Sequence, residues 1–181
     1  ARPNSVSPHS NGEKKGPLLT VAMISKVIGV GLKQIDSTDE QIQHFVRDAE
    51  FVMLSGVMTR NASDLSERMW YTIGVLTRRE ERTKKSQYHV LEMQQVESNN
   101  REGGVTVRAI AFGDASGVIK SKASDFSVVL IRNAVLPRAD SAEQYGGAPS
   151  LKLSSTAQVM VIGTADCTSC KAMVKSTTST M

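Results

Sequence analysis

The chain has 181 residues, 40% of them hydrophobic and only 4% aromatic, with a formal charge of +4. That length and apolar content suit one ordinary domain with extensions and exclude two large ones, and the scarcity of rings leaves the core to Val, Ile, Leu, Met and Ala. The mild positive balance favours polyanion partners without requiring them, because many soluble domains carry the same charge.

Residues 1–16, ARPNSVSPHSNGEKKG, are rich in Ser, Pro, Asn, Gly and Lys. Such a composition cannot bury enough apolar surface to offset the entropy of ordering, so a disordered tail is expected. The same stretch lacks a signal peptide's hydrophobic region, and no window approaches the roughly 18 consecutive apolar residues of a membrane-crossing helix. The expectation is a soluble, intracellular protein. From Leu18 to Leu32, LLTVAMISKVIGVGL suits a short helix or a strand, and its periodicity does not decide between them. Ser37 and Glu40 have the spacing of a capping box, and Ile42, Phe45, Val46 and Ala49 follow on one helical face, which predicts a helix over about residues 38–50.

Next comes FVMLSGV (51–57), which reads as a strand, then a polar loop, TRNASDLSER. After it come runs of strand length rich in β-branched residues and bounded by Gly, Asn, Ser and Pro: WYTIGVLTR, QYHVLEMQQV, VTVRAIAF, DFSVVLIRNAVL, and finally PSLKLSS with AQVMVIGTA. Between the third and fourth runs, GDASGVIKSKAS is long enough for a short helix. Five strands with a helix between the third and fourth is the arrangement of an OB-fold, although another small barrel suits the pattern too. Gly74 and Gly113 stand where a barrel strand could bend sharply.

Enzyme chemistry finds little support. His9, His44 and His89 stand in no nucleophile or metal pattern with one another, and GxSxG, Walker and HExxH motifs are absent. The two cysteines, Cys167 and Cys170, form a CTSC with the spacing of half a zinc site, but no histidine follows His89 to complete it. They read as free thiols in a reducing compartment. No cofactor is expected within this chain.

The hairpin TRREERTKKSQYHV (77–90) is more informative. With RREERTKK as the loop between the first two barrel strands, Arg78, Arg79, Arg82, Lys84 and Lys85 stand where they can pair with phosphates, and Tyr88 offers a ring for a stacked base. The same pattern also describes a solvated hairpin tip with a core tyrosine. Lys120, Lys122, Arg132, Arg138 and Lys152 are candidates to extend a basic track.

In order along the chain, GLKQI (31–35), FVMLSGV, MWYTIGVLTRR, VTVRAIAFGDA and the terminal AQVMVIGTADCTSCKAMVKSTTSTM resemble motifs of the minichromosome maintenance protein ten family of eukaryotic replication factors, over about residues 31–181. The last is similar to a family strand that leads directly into the first cysteine of a CCCH zinc finger. The resemblance implies an OB-fold followed by the start of that finger, and binding of single-stranded, and more weakly duplex, DNA. It implies the replicative helicase, DNA polymerase alpha and the sliding clamp as partners, and nuclear localisation.

By position, Arg78 matches a basic residue of the family's first hairpin and Tyr88 an aromatic that opens its second strand. Cys170 matches the first zinc ligand, and Lys171 and Lys175 fall in the basic finger loop. The family's next finger cysteine would fall just past Met181, so zinc enters only with residues beyond it, and Cys167 has no assigned counterpart. After Asp114, ASGVIKSKAS stands where the family carries a tryptophan-bearing stretch.

The expectation is therefore a mainly β protein: a five-stranded OB-fold barrel (59–165) with an N-terminal tail (1–30), a helix–strand extension packed on the barrel (31–58) and the start of a truncated zinc-finger region (166–181). Its expected role is a non-enzymatic DNA-binding module linking the helicase to the polymerase, with no membrane or small-molecule partner. The expected contacts are Arg78, Arg79, Lys84, Lys85 and Tyr88, with Lys171 and Lys175 as a second site. A protein-interaction scaffold and an RNA-binding OB-fold remain as alternatives.

Overall fold

The computed structural model describes residues 18–59, 62–95, 105–136 and 150–166. In chain order the elements are α1 (Val21–Ile28), β1 (Leu32–Ile35), α2 (Asp39–Val46), β2 (Glu50–Phe51), α3 (Leu54–Thr59), α4 (Ala62–Ser66), β3 (Trp70–Thr83), β4 (Gln87–Gln95), β5 (Val105–Ala111), α5 (Gly113–Lys122), β6 (Ser127–Arg132), β7 (Ser150–Leu153) and β8 (Val159–Ala165).

The apolar stretch left open between helix and strand resolves into both. Thr20 caps α1 through its hydroxyl, Gly29 ends it at φ 73°, and the GLKQI segment then enters the sheet as β1. The capping box of α2 lies one residue later than the sequence spacing suggests, between Thr38 and Gln41. Ser37 is instead buried, its hydroxyl donating to the Val161 carbonyl. The helix stops at Val46 rather than about residue 50, because Asp48 takes a positive φ of 59° and Arg132 donates to the Phe45 and Arg47 carbonyls at the helix end.

The expected strand at 51–57 is a correction. Only Glu50–Phe51 pair, in parallel with the start of β3, and the chain then turns into α3. Leu54 and Val57 are buried on one face of this turn, and the Leu54 amide donates to the side chain of Gln95, which lies at the end of β4 and whose amide nitrogen in turn donates to the Ile73 carbonyl. A helix start satisfied from a residue so far along the chain leaves no local signal.

The sheet path runs β1-β8-β6-β3-β4-β5-β7, with β2 joined to β3, making eight strands among the described residues. The protein is mainly β as expected, but the sheet has eight strands rather than five: β1 and β2 add to it, and the fifth run is split into β7 and β8. Ser155 and Gln158 cap each other across a 3-10 turn, Thr156–Gln158, which separates β7 from β8. Beyond that turn β8 runs antiparallel to β6, whereas β7 lies parallel to β5.

Two apolar clusters lie on opposite sides of β3. Trp70, Leu76, Leu91, Met93, Ala109, Ile119, Val129 and Leu151 belong to one, together with Leu54 and Val57 from α3. Tyr71, Ile73, Val75, Val128, Leu130 and Ile162 form the other, covered by Ile24 and Ile28 of α1 and Ile42 and Val46 of α2. The strand bend expected near Gly74 occurs three residues later, where the β3–β4 register shifts between Leu76 and Arg78. Gly74 serves instead for close approach, its missing Cβ lying 3.0 Å from the Met93 Cβ. Gly113 opens α5 at φ 50°.

Gly163 lets β1 close onto β8: a Cβ there would sit 2.1 Å from the Gln34 carbonyl oxygen and 3.1 Å from the Ile35 Cα. Because both obstacles are backbone, Gly163→Ala should lower unfolding free energy by about 1–3 kcal/mol. Urea denaturation checks the loss, and hydrogen exchange should show Gln34 and Ile35 losing protection first.

Candidate nucleic-acid interface

The basic hairpin is mostly strand. Arg78 to Thr83 continue β3, Gln87 begins β4, and only residues 84–86 turn between them. The expected loop RREERTKK is thus paired backbone, with Lys84 and Lys85 exposed at its tip.

Register then sorts the side chains. Directly opposed residues on antiparallel strands share a face, and alternate residues along a strand return to it. Arg78 faces Glu92, Glu80 faces Val90, and Arg82 faces Tyr88. On the next strand Glu92 pairs with Arg108 and Val90 with Ile110, while Ile110 pairs with Lys152 of β7. Tyr88 and Phe112 meet with ring centroids 5.6 Å apart. One face therefore carries two half-buried rings, an apolar floor of Val90 and Ile110, and the cations of Arg78, Arg82, Arg108 and Lys152, interleaved with Glu80 and Glu92.

The carboxylates hold the arginines in place. Glu80 accepts from Arg82 through both oxygens, at 2.9 and 3.0 Å, and from Arg78 at 3.3 Å. Arg78 also reaches Glu92 at 3.6 Å. The hydrogen bond from Arg82 holds the Glu80 carboxyl below its ordinary range, and the charges of Arg82, Arg78 and Arg108 act in the same direction.

Arg79 points the other way. Its guanidinium donates to the Ile119 and Ala123 carbonyls, at 3.3 and 2.7 Å, satisfying the C-terminal end of α5. On that same side, beneath α5, His89 is 2% exposed, with Nδ1 2.7 Å from the Ser116 hydroxyl and Nε2 3.5 Å from Glu81. Lys120 reaches Glu81 at 3.7 Å and Gln87 at 3.1 Å. With the imidazole proton on Nε2, toward the carboxylate, Nδ1 accepts from the serine. Burial pushes this histidine below its ordinary 6.5, and Glu81 pulls against that shift.

Of the residues the sequence singles out, Arg78 and Tyr88 share the ring-bearing face, Lys84 and Lys85 sit at its edge, and Arg79 does not join them. Of the hairpin's other cations Arg82 joins that face; of the candidate track Lys152 joins it, Lys120 and Arg132 are engaged elsewhere, Lys122 is exposed at the end of α5, and Arg138 lies outside the described residues, as do Lys171, Lys175, Cys167 and Cys170. Sequence reasoning missed Phe112 and Arg108. Their signal is the two-residue alternation Arg108–Ile110–Phe112, which needs the β4–β5 register before it places Phe112 beside Tyr88.

The chain matches no family model and no protein of curated function, so its resemblance to the replication-factor family rests on the motifs alone. Among solved structures it is similar to the solution structure of DNA-binding domain A of S. cerevisiae replication protein A, at a TM-score of 0.36 and 13% identity, over 63% of this chain and 96% of that one.

The buried histidine fixes a pH dependence. Between its lowered folded value and 6.5 the unfolded chain binds a proton that the folded chain resists, so stability is retained above about pH 6.5 and lost as pH falls below it. Thermal melts of the wild type and His89→Gln from pH 7.5 to 5.5 should show a smaller decline in the variant.

Proposed function

We propose that this chain is a non-enzymatic module that binds single-stranded nucleic acid, DNA by the motif resemblance, across the outer face of β3, β4, β5 and β7. The observation that carries the reading is the Tyr88–Phe112 ring pair set on the same sheet face as Arg82, directly opposite Tyr88, and Arg78 and Arg108 further along it. Rings give sequence-tolerant stacking because every base has a π-face, and the arginines neutralise phosphates on either side. Single strands suit such a surface better than duplex, whose bases are already stacked on each other.

The finer fold belongs to the same proposal. β3, β4 and β5 form a meander, α5 connects to β6, and β7 with β8 act as one interrupted fifth strand, parallel to β5 in its first part and antiparallel to β6 in its second. That connectivity supports an OB-type barrel whose ligand face spans its second and third strands. The replicative helicase, DNA polymerase alpha, the sliding clamp and a nuclear setting enter from the motif resemblance alone.

Fluorescence anisotropy with a labelled single-stranded oligonucleotide tests the reading. For three or four neutralised phosphates, affinity should fall about 20- to 50-fold between 50 and 200 mM salt. Tyr88→Ala and Phe112→Ala should each cost about 1–3 kcal/mol of binding. An affinity indifferent to salt, or unaffected by both ring variants, would rule it out. RNA of the same sequence, bound more tightly than DNA, would redirect the substrate to RNA through its 2′-hydroxyl. Arg79→Gln, by contrast, should lower the melting temperature while leaving the intact protein's affinity within about twofold, because its guanidinium serves α5.

A further inference from the structure

Two arginines of this face are already occupied, Arg82 directly opposite Tyr88 and Arg78 four residues before Arg82 on β3. Glu80 lies between Arg78 and Arg82, two residues from each, so all three side chains rise from the same face of β3. Its two oxygens meet the Nε and Nη2 of Arg82 in a side-on fork, and the second oxygen also takes the Nη2 of Arg78. The two non-bridging oxygens of a phosphodiester present the same kind of acceptor pair to a guanidinium fork.

Position strengthens the correspondence. Tyr88 is the directly opposed neighbour of Arg82, so a base stacked on that ring brings its own phosphate toward this fork. The contact is also displaceable. The side chains of Arg78, Arg82 and Glu80 are 61%, 39% and 37% exposed, and ion pairs open to water to this degree contribute little to holding a chain together. A carboxylate that adds little to the fold, yet aims two cations at one point, suits a ligand-binding role better than a structural one.

We propose that the Glu80 carboxylate is a built-in stand-in for a backbone phosphate: it keeps Arg78 and Arg82 oriented while the face is empty, and an incoming strand must displace it. Glu80 therefore sets the affinity of the face from within. Non-specific polyanion capture is held down, and release is eased, because the carboxylate returns to the fork as the phosphate leaves. This inference rests on the nucleic-acid reading above and adds a competitor to it.

The test is a charge-neutral substitution of near-identical shape. With a labelled single-stranded oligonucleotide at 150 mM salt, Glu80→Gln should tighten binding about 3- to 10-fold. The slope of log affinity against log salt should steepen by about 0.7, the value of one further neutralised phosphate on a single strand. Glu81→Gln removes the same charge one residue away on the opposite face, where Glu81 serves His89 and Lys120, and should leave affinity within about twofold. The gain from Glu80→Gln should also vanish in an Arg82→Gln background.

Equal tightening by both glutamate variants would reduce the effect to net charge and overturn the inference. So would weaker or unchanged binding by a Glu80→Gln protein with a wild-type melting temperature, or a gain that survives without Arg82. These failures are distinct from failure of the parent reading, in which the wild type itself shows no salt-dependent binding and no response to Tyr88→Ala, and the inference falls with it.

Discussion

A single irregularity in β3 decides what this surface is. The strand pairs with β6 over its first half and with β4 over its second, and between Leu76 and Arg78 the β4 register slips by one residue. Before the slip, Leu76 faces the interior; after it, Arg79 takes the interior side and Arg78, Glu80 and Arg82 face out. Had the strand run regularly, Arg78 would follow Leu76 inward and the charges would change sides. The alignment of arginines with Tyr88, the tie from Arg79 to α5 and the Glu81–His89 contact all depend on that one extra residue.

The slip also divides labour between two kinds of charge on one short segment. Outward residues form an alternating ladder of arginine and glutamate in water, where each contact is weak and exchangeable. The residues on the α5 side are as open to water, with Glu81 44% exposed, yet there the same chemistry becomes structural: a guanidinium closes a helix end and a carboxylate faces a buried imidazole. Adjacent residues of like composition thus do unlike things because alternate faces of the strand meet different partners.

Much of the architecture was legible in the sequence. Each long β-branched run became a strand, and the helix between the third and fourth runs is present as α5. What was not legible shares one cause, dependence on a distant partner. The start of α3 is satisfied by Gln95, the end of α2 by Arg132, and the place of Phe112 by the β4–β5 register. The candidate site was half legible for the same reason. Tyr88 and Arg78 could be singled out as residue types in a hairpin, but Arg78 and Arg79 look equivalent until the slip at Thr77 assigns them to different faces.

The apolar face that α1 and α2 cover carries a practical consequence. Tyr71, Ile73, Val128 and Leu130 meet those helices on the side of the sheet away from the main core. A chain trimmed to its strands would present this face bare and invite self-association. The leading helices are thus the cover of the sheet's second face, and an excised version that lacks them is expected to self-associate.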